Sequence, residues 1–185
     1  MTSPAIVICG PTAVGKGTVI RELIAREPRI WLSISTTTRA PRAGEIDGHH
    51  YFFATPEEFD RLVESGNMLE WATVHGVHRY GTPRQPVTEA IADGRIVLLE
   101  VDLAGARQVR ESLPEAVQIF IAPPTFDDLA ARLETRGTEG PEERLRRLET
   151  ARVELAAADE FDRIVVNDDV SRATDEILGI IASIR

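Results

Sequence analysis

Apolar residues gather in four short runs along the chain, and each run is followed by apolar positions at helical spacing. Ala5-Ile-Val-Ile-Cys9 has no polar interruption and predicts a strand buried on both faces. Beyond it, Val19, Ile20, Leu23 and Ile24 predict a helix that stops near Pro28. The succession recurs with strands over 96–101, 116–122 and 163–167, preceding helices over 104–111, 125–135 and 171–184. Ser171 is the expected N-cap of the last helix. Strands alternating with helices predict an α/β fold with a mostly parallel sheet flanked by helices.

Two stretches break the alternation. Residues 33–87 hold short strand candidates, among them 32–35, 51–53 and 68–74, and predict a small β-rich insert. Its one marked helix start has Thr55 as N-cap, Pro56 at the first helical position and Glu58 closing a capping box. Residues 127–152 predict a largely helical segment carrying Arg132, Arg136, Arg144, Arg146, Arg147 and Arg152. Gly137 and Gly140-Pro141 interrupt it as hinges or a helix-to-helix turn would.

Composition narrows the partners. The 185 residues suit one domain, and 43% hydrophobic content excludes general disorder. A net charge of -9 argues against binding nucleic acid or an anionic membrane. One cysteine, Cys9, excludes an intrachain disulfide and fits a reducing compartment. With no apolar run near 18 residues and no secretory pattern at the start, a cytoplasmic protein is expected. Of the 21 basic residues, Lys16 is the sole lysine.

That lysine lies in Gly10-x4-Gly15-Lys16, between a buried strand and a helix. Glycines let backbone N–H groups wrap around phosphate, the helix start adds positive potential, and the lysine reaches the β/γ-phosphates. The whole segment Gly10, Pro11, Thr12, Ala13, Val14, Gly15, Lys16, Gly17 and Thr18 is the expected phosphate-binding loop for a nucleotide. Gly17 stands where a metal-binding hydroxyl is usual, so Mg²⁺ is expected through phosphates and water, with Thr18 or Asp102 as protein candidates. Asp102 ends a buried strand at the edge where ligands collect, with a helix N-cap or turn aspartate as the alternative reading of its position. Glu100, within the same run, must be paired or face a polar cleft. Ser35-Thr-Thr-Thr-Arg39-x-x-Arg42-x-x-Glu45 offers two arginines suited to clamping a phosphate dianion, and Tyr51, Glu70, Tyr80 and Thr82 enlarge the polar set. His49-His50 and His75-x-x-His78 read as turn histidines, with no cysteine or paired acid to complete a metal site.

Seven segments in order resemble the guanylate kinase family: Gly-Pro-Thr-Ala-Val-Gly-Lys-Gly-Thr, Ser-Thr-Thr-Thr-Arg-Ala-Pro-Arg-Ala-Gly-Glu, Leu-Glu-Trp-Ala, Arg-Tyr-Gly-Thr, Glu-Val-Asp-Leu-Ala-Gly-Ala, Arg-Gly-Thr-Glu and Val-Val-Asn-Asp-Asp. The resemblance implies a P-loop NTPase-type core over 1–34, 86–126 and 148–185, a GMP-binding insert over 35–85 and a helical lid over 127–147. It implies transfer of the γ-phosphoryl group of ATP to GMP, and to dGMP, with Mg²⁺, giving ADP and GDP in purine nucleotide metabolism. By motif match Arg39, Arg42, Tyr51 and Tyr80 hold the GMP phosphate. Ser35, Glu70, Thr82 and Asp102 surround guanine, with Glu45 and Glu100 in support. Arg132, Arg136 and Arg147 match lid arginines acting with Lys16 and Arg39 in catalysis, and Asn167 matches the adenine-side segment. Partners are the two nucleotides, with homo-oligomerisation left open. Two alternatives stand beside this: a related kinase for another phosphate ester, and an interaction module that has lost catalysis.

The chemistry agrees with the match. Guanine offers N1–H and N2–H₂ donors, which carboxylates accept, and an O6 acceptor suited to a hydroxyl. Adenine lacks that donor pair and leaves such a site unsatisfied.

Overall fold

The structure, a computed structural model, describes residues 5–74, 77–136 and 141–184, without the side chains of Thr135, Arg136, Pro141 and Glu143. The expected hinge glycines Gly137 and Gly140, and His75, lie outside the described residues. Strands β1 (Ala5–Cys9), β2 (Ile30–Leu32), β7 (Ile96–Glu100), β8 (Val117–Ala122) and β9 (Arg163–Val166) form a sheet in the order β2-β7-β1-β8-β9. Every pairing in it is parallel.

Both faces are covered, which is why these strands are continuously apolar. Side chains alternate: Ala5, Val7 and Cys9 enter one layer, while Ile6 and Ile8 enter the other. The first layer contains residues of α3 (Arg84–Ala92) and α4 (Leu103–Ser112). The second contains residues of α1 (Lys16–Arg26), α5 (Phe126–Arg136), α6 (Pro141–Ala156) and α7 (Val170–Ser183). Loops at the carboxyl ends of β1, β7 and β9 therefore open on one edge, where an α/β sheet binds ligands.

The insert has its own sheet, ordered β4-β3-β6-β5, from β3 (Thr36–Thr37), β4 (Phe52–Phe53), β5 (Met68–Val74) and β6 (His78–Pro83). Helix α2 (Pro56–Glu64) covers it, and the capping box forms: Glu58 N donates to Thr55 Oγ1 at 3.2 Å and Thr55 N to Glu58 Oε2 at 2.8 Å. Phe59 is fully buried, with the Arg79 guanidinium 4.8 Å from its ring centroid.

Some boundaries differ from expectation. The strand expected over 32–35 is split: Ser33 N donates to Leu98 O (2.9 Å), a last tie to the core sheet, and Ser35 O already accepts Phe52 N (2.9 Å) in the insert. Ser171 is not the N-cap of α7. Asp169 is, its Oδ1 accepting Arg172 N at 2.9 Å, and the apolar first residue Val170 packs on the core and draws the helix start earlier. Tyr51 precedes β4 in an isolated bridge with Asp47. Helix α3, which the sequence pattern does not predict, carries Pro86 in its first turn, where a missing N–H is harmless.

Candidate active site

The phosphate loop is built around conformations that side chains resist. Gly10 has φ +150°, and a Cβ there would meet Ile121 O at 2.4 Å. Gly15 has φ +99°, and a Cβ would meet Asn167 Nδ2 at 2.6 Å. Gly15 is the N-cap of α1, with no side-chain cap and no acid in the first turn. The helix's first N–H groups and its dipole are thus left to an outside anion. Lys16 Nζ donates to Gly10 O (2.6 Å) and Pro11 O (3.2 Å), folding the charge over its own loop.

Thr12, Ala13, Gly15, Lys16, Gly17, Thr18, Arg21 and Glu100 line a cleft of about 330 Å³. Glu100, exposed at the end of an otherwise buried strand, faces this cleft, satisfying the requirement for a polar surrounding. A larger cavity of about 610 Å³ lies in the insert, between Phe52, Phe53, Leu62 and Pro86. No residue of the phosphate loop reaches it, so its volume does not mark the chemistry.

Asn167 and Arg132 hold the loop from beneath. Asn167 is 3% exposed, and its Nδ2 donates to Val14 O at 2.8 Å. Arg132 donates to the same oxygen at 3.2 Å and to Asn167 O at 3.0 Å. Arg132 therefore ties α5 to the loop. Arg147 is half-buried and Arg146 exposed on α6, Arg144 pairs with Glu134 at 2.9 Å, and Arg152 stacks on Phe126 at 4.8 Å. The Arg136 side chain lies outside the described residues.

In the insert Arg39 is caged. Its Nη1 and Nη2 donate to Glu45 at 2.9 and 2.8 Å, Nη1 also to Ala40 O at 2.8 Å, and Nε to the Tyr80 hydroxyl at 3.3 Å. The rings of Tyr51 and Phe53 lie 5.4 and 5.9 Å from Cζ. Glu45 also accepts Arg42 N at 2.7 Å. Its carboxyl is held down to about 2 by the Arg39 bond first and the Arg42 amide second. Those four bonds leave one of the five guanidinium N–H groups, on Nη2, for a further acceptor. Arg42 itself is exposed, and Ser35 is half-buried.

Between insert and core, Thr82 donates to Glu70 Oε1 at 2.6 Å, while a Cβ on Gly105 would lie 3.2 Å from Glu70 Oε2 and 3.3 Å from Asp102 Oδ1. Two carboxylates, one from the insert strand β5 and one at the start of the core helix α4, thus converge beside one glycine. Burial chiefly, then the Asp102 charge, pushes the Glu70 carboxyl above its ordinary range despite the Thr82 bond. Asp102 Oδ1 caps α4, accepting Gly105 N at 2.7 Å, so the N-cap reading holds for that oxygen.

Three other groups carry no signal in the local pattern. Gln108 and Ser112 of α4 bond the backbone of β5: Trp71 N donates to Gln108 Oε1 (3.0 Å), Gln108 Nε2 to Trp71 O (3.0 Å) and Ser112 Oγ to Leu69 O (2.6 Å). Glu154 of α6 has a buried Oε2 with no hydrogen-bond partner among the described residues. Burial raises its carboxyl, the Lys16 charge opposing and Asp102 adding. Helical spacing predicts which face carries these residues, not which backbone or charge that face meets. Cys9 is fully buried, which pushes its thiol up to about 12 and leaves it unreactive. His50 Nδ1 accepts Ile46 N at 3.1 Å, bracing a turn.

A family model described as guanylate kinase matches residues 2–184. A guanylate kinase of Cutibacterium acnes is 58% identical over 95% of this chain and 88% of its own length, and one of Nocardia farcinica 55% identical over 96% and 93%. Among solved structures, a guanylate kinase from Anaplasma phagocytophilum superposes with a TM-score of 0.72 at 32% identity, covering 98% of this chain and 86% of that one.

Proposed function

Because the chain belongs to the guanylate kinase family, whose enzymes phosphorylate GMP with ATP, we propose that it transfers the γ-phosphoryl group of ATP to GMP and dGMP through the two facing sites above. The observation that carries the acceptor reading is the convergence of Glu70 and Asp102 beside Gly105, with Thr82 holding the other Glu70 oxygen. Guanine's N1–H and N2–H₂ satisfy these carboxylates, and its O6 accepts from a hydroxyl such as Ser35. The named contacts go to base and phosphate, so a 2′-deoxyribose is accepted as well.

The donor γ-phosphoryl group lies over the α1 N-terminus, where Lys16 leaves the Gly10 and Pro11 carbonyls for the phosphate oxygens. The acceptor phosphate meets the remaining Arg39 Nη2 N–H, Arg42 and the hydroxyls of Tyr51 and Tyr80. A phosphate oxygen of GMP forms the new bond to the γ-phosphorus, the bond to the ADP oxygen breaks, and ADP and GDP leave. The acceptor is already anionic, so no general base is required, and catalysis is in-line positioning with charge stabilisation. Arg132, Arg136 and Arg147 supply lid charge, and the insert and lid move against the core on closure. Asn167, buried under the loop, serves the ATP side by holding the Val14 carbonyl beside Gly15.

The donors in the phosphate cleft fit Mg²⁺: the Thr18 hydroxyl and the Glu100 carboxylate are hard oxygens lining it, and ATP phosphates and water complete a shell. Bound with ATP, Mg²⁺ neutralises charge developing between the β- and γ-phosphates. Asp102, with one oxygen committed to its cap, is the weaker of the metal candidates.

The test is a coupled assay with ATP against GMP, dGMP, AMP, CMP, UMP and dTMP. Turnover is expected with the two guanine nucleotides, and a preference for AMP or dTMP overturns the acceptor assignment.

A further inference from the structure

Strand β5 is an edge of the insert sheet: the order β4-β3-β6-β5 leaves one of its sides without a strand. On the paired side Glu70 faces Thr82 of β6, and on the open side Leu69 and Trp71 present their backbone groups. An open edge needs partners for these groups. Here they come from the core helix α4. The Gln108 amide makes a two-bond ring with Trp71, accepting from its N–H and donating to its carbonyl, both at 3.0 Å. Ser112 Oγ donates to Leu69 O at 2.6 Å. Gly105, Gln108 and Ser112 stand at i, i+3 and i+7, so one face of α4 meets all three residues 69, 70 and 71.

We infer that Gln108 is a specificity-determining positioning residue: by standing in for a strand on the open edge of β5, it fixes the direction in which Glu70 presents its carboxylate to the base. The residues on both sides of Glu70 are pinned, and the carboxylate lies close to Gly105, where a Cβ would stand 3.2 Å from Oε2 and crowd it. Backbone aim matters here because a bidentate base contact tolerates little displacement. The ligand concerned is a 2-amino-6-oxopurine monophosphate, so the inference rests on the guanine reading above. Gln108 touches no substrate; it acts through β5.

The experiment compares wild type with Gln108→Met, which keeps length and helix propensity but removes both bonds, and with Ser112→Ala as a milder second variant. GMP and IMP, which lacks the 2-amino group, are assayed with ATP, and thermal unfolding is followed for each protein. For Gln108→Met the expected result is a GMP KM raised about tenfold, the GMP/IMP preference reduced by a similar factor, and the ATP KM unchanged. In a Glu70→Ala background the same change should alter the GMP KM by less than about twofold, because there is no carboxylate left to aim. Equal effects on the ATP and GMP constants, an unchanged GMP/IMP ratio, or an undiminished effect without Glu70 overturn the inference. A wild type that itself fails to prefer GMP over IMP overturns the guanine reading instead, so the two failures are told apart.

Discussion

Gly15 and Asn167 make a two-residue lock whose energetics can be divided by experiment. Gly15→Ala meets two costs. Its φ of +99° lies in the left-handed region, which costs an L-residue about 1–2 kcal/mol. Its Cβ would also lie 2.6 Å from Asn167 Nδ2. That amide cannot swing aside freely, because it is buried and donates to Val14 O at 2.8 Å. Overpacking of this kind costs about 1–3 kcal/mol, so the single substitution should destabilise by about 2–5 kcal/mol. Asn167→Ala removes one hydrogen bond while Val14 O keeps Arg132 at 3.2 Å, so about 1 kcal/mol is expected. In the double variant the steric part vanishes and the φ part remains. The two single costs should therefore exceed the double cost by about 1–3 kcal/mol. Urea unfolding of the four proteins measures this cycle, with slopes checked for two-state behaviour. Costs that add to within about 0.5 kcal/mol, or a Gly15→Ala cost below about 1 kcal/mol, refute the lock.

Asp102→Asn keeps a good N-cap and should hold stability within about 0.5 kcal/mol while raising the GMP KM, whereas Asp102→Ala should lose about 1 kcal/mol besides; equal stability of the two variants in urea contradicts the capping geometry. The raised Glu70 carboxyl takes up its proton at higher pH than an ordinary glutamate, and the protonated form accepts base N–H groups poorly. The GMP KM should thus climb on acidification, beginning at a higher pH than an ordinary glutamate would set, with the ATP KM level, and an acid limb that persists in Glu70→Gln places the titration elsewhere. Lys16→Ala should abolish transfer and leave GMP binding by calorimetry largely intact; retained turnover removes the lysine from the mechanism. Above its raised value Glu154 is ionised with one oxygen buried and unpartnered, so Glu154→Gln should stabilise the protein at pH 8, by a margin that shrinks on acidification. A margin independent of pH would show that the charge is not what the buried site opposes.

Local pattern carried much of this protein. The uninterrupted Ala5–Cys9 run, the Gly10 and Gly15 spacing and the Thr55–Glu58 box each encode a feature completed within a few residues: a doubly buried strand, a backbone bend only glycine follows, a helix start. Motif match likewise named Arg39 and Glu45, and the fold joins them across a turn that separates them by six positions. What adjacency could not supply was decided in three dimensions. The polar-apolar alternation of Leu32–Ser35 suits one strand, yet Leu98 and Phe52 compete for its two ends and divide it between sheets. Asp169 outcompetes Ser171 because Val170 has a core to enter. Asn167 becomes the support of Val14 only when β9 ends beneath the loop, 153 residues along the chain. The clearest case is α4, whose periodicity assigns Gly105, Gln108 and Ser112 to one face but says nothing of the open edge that face meets. Hydrogen bonding and burial are satisfied between surfaces, and a sequence lists the groups on each surface without saying which surfaces touch.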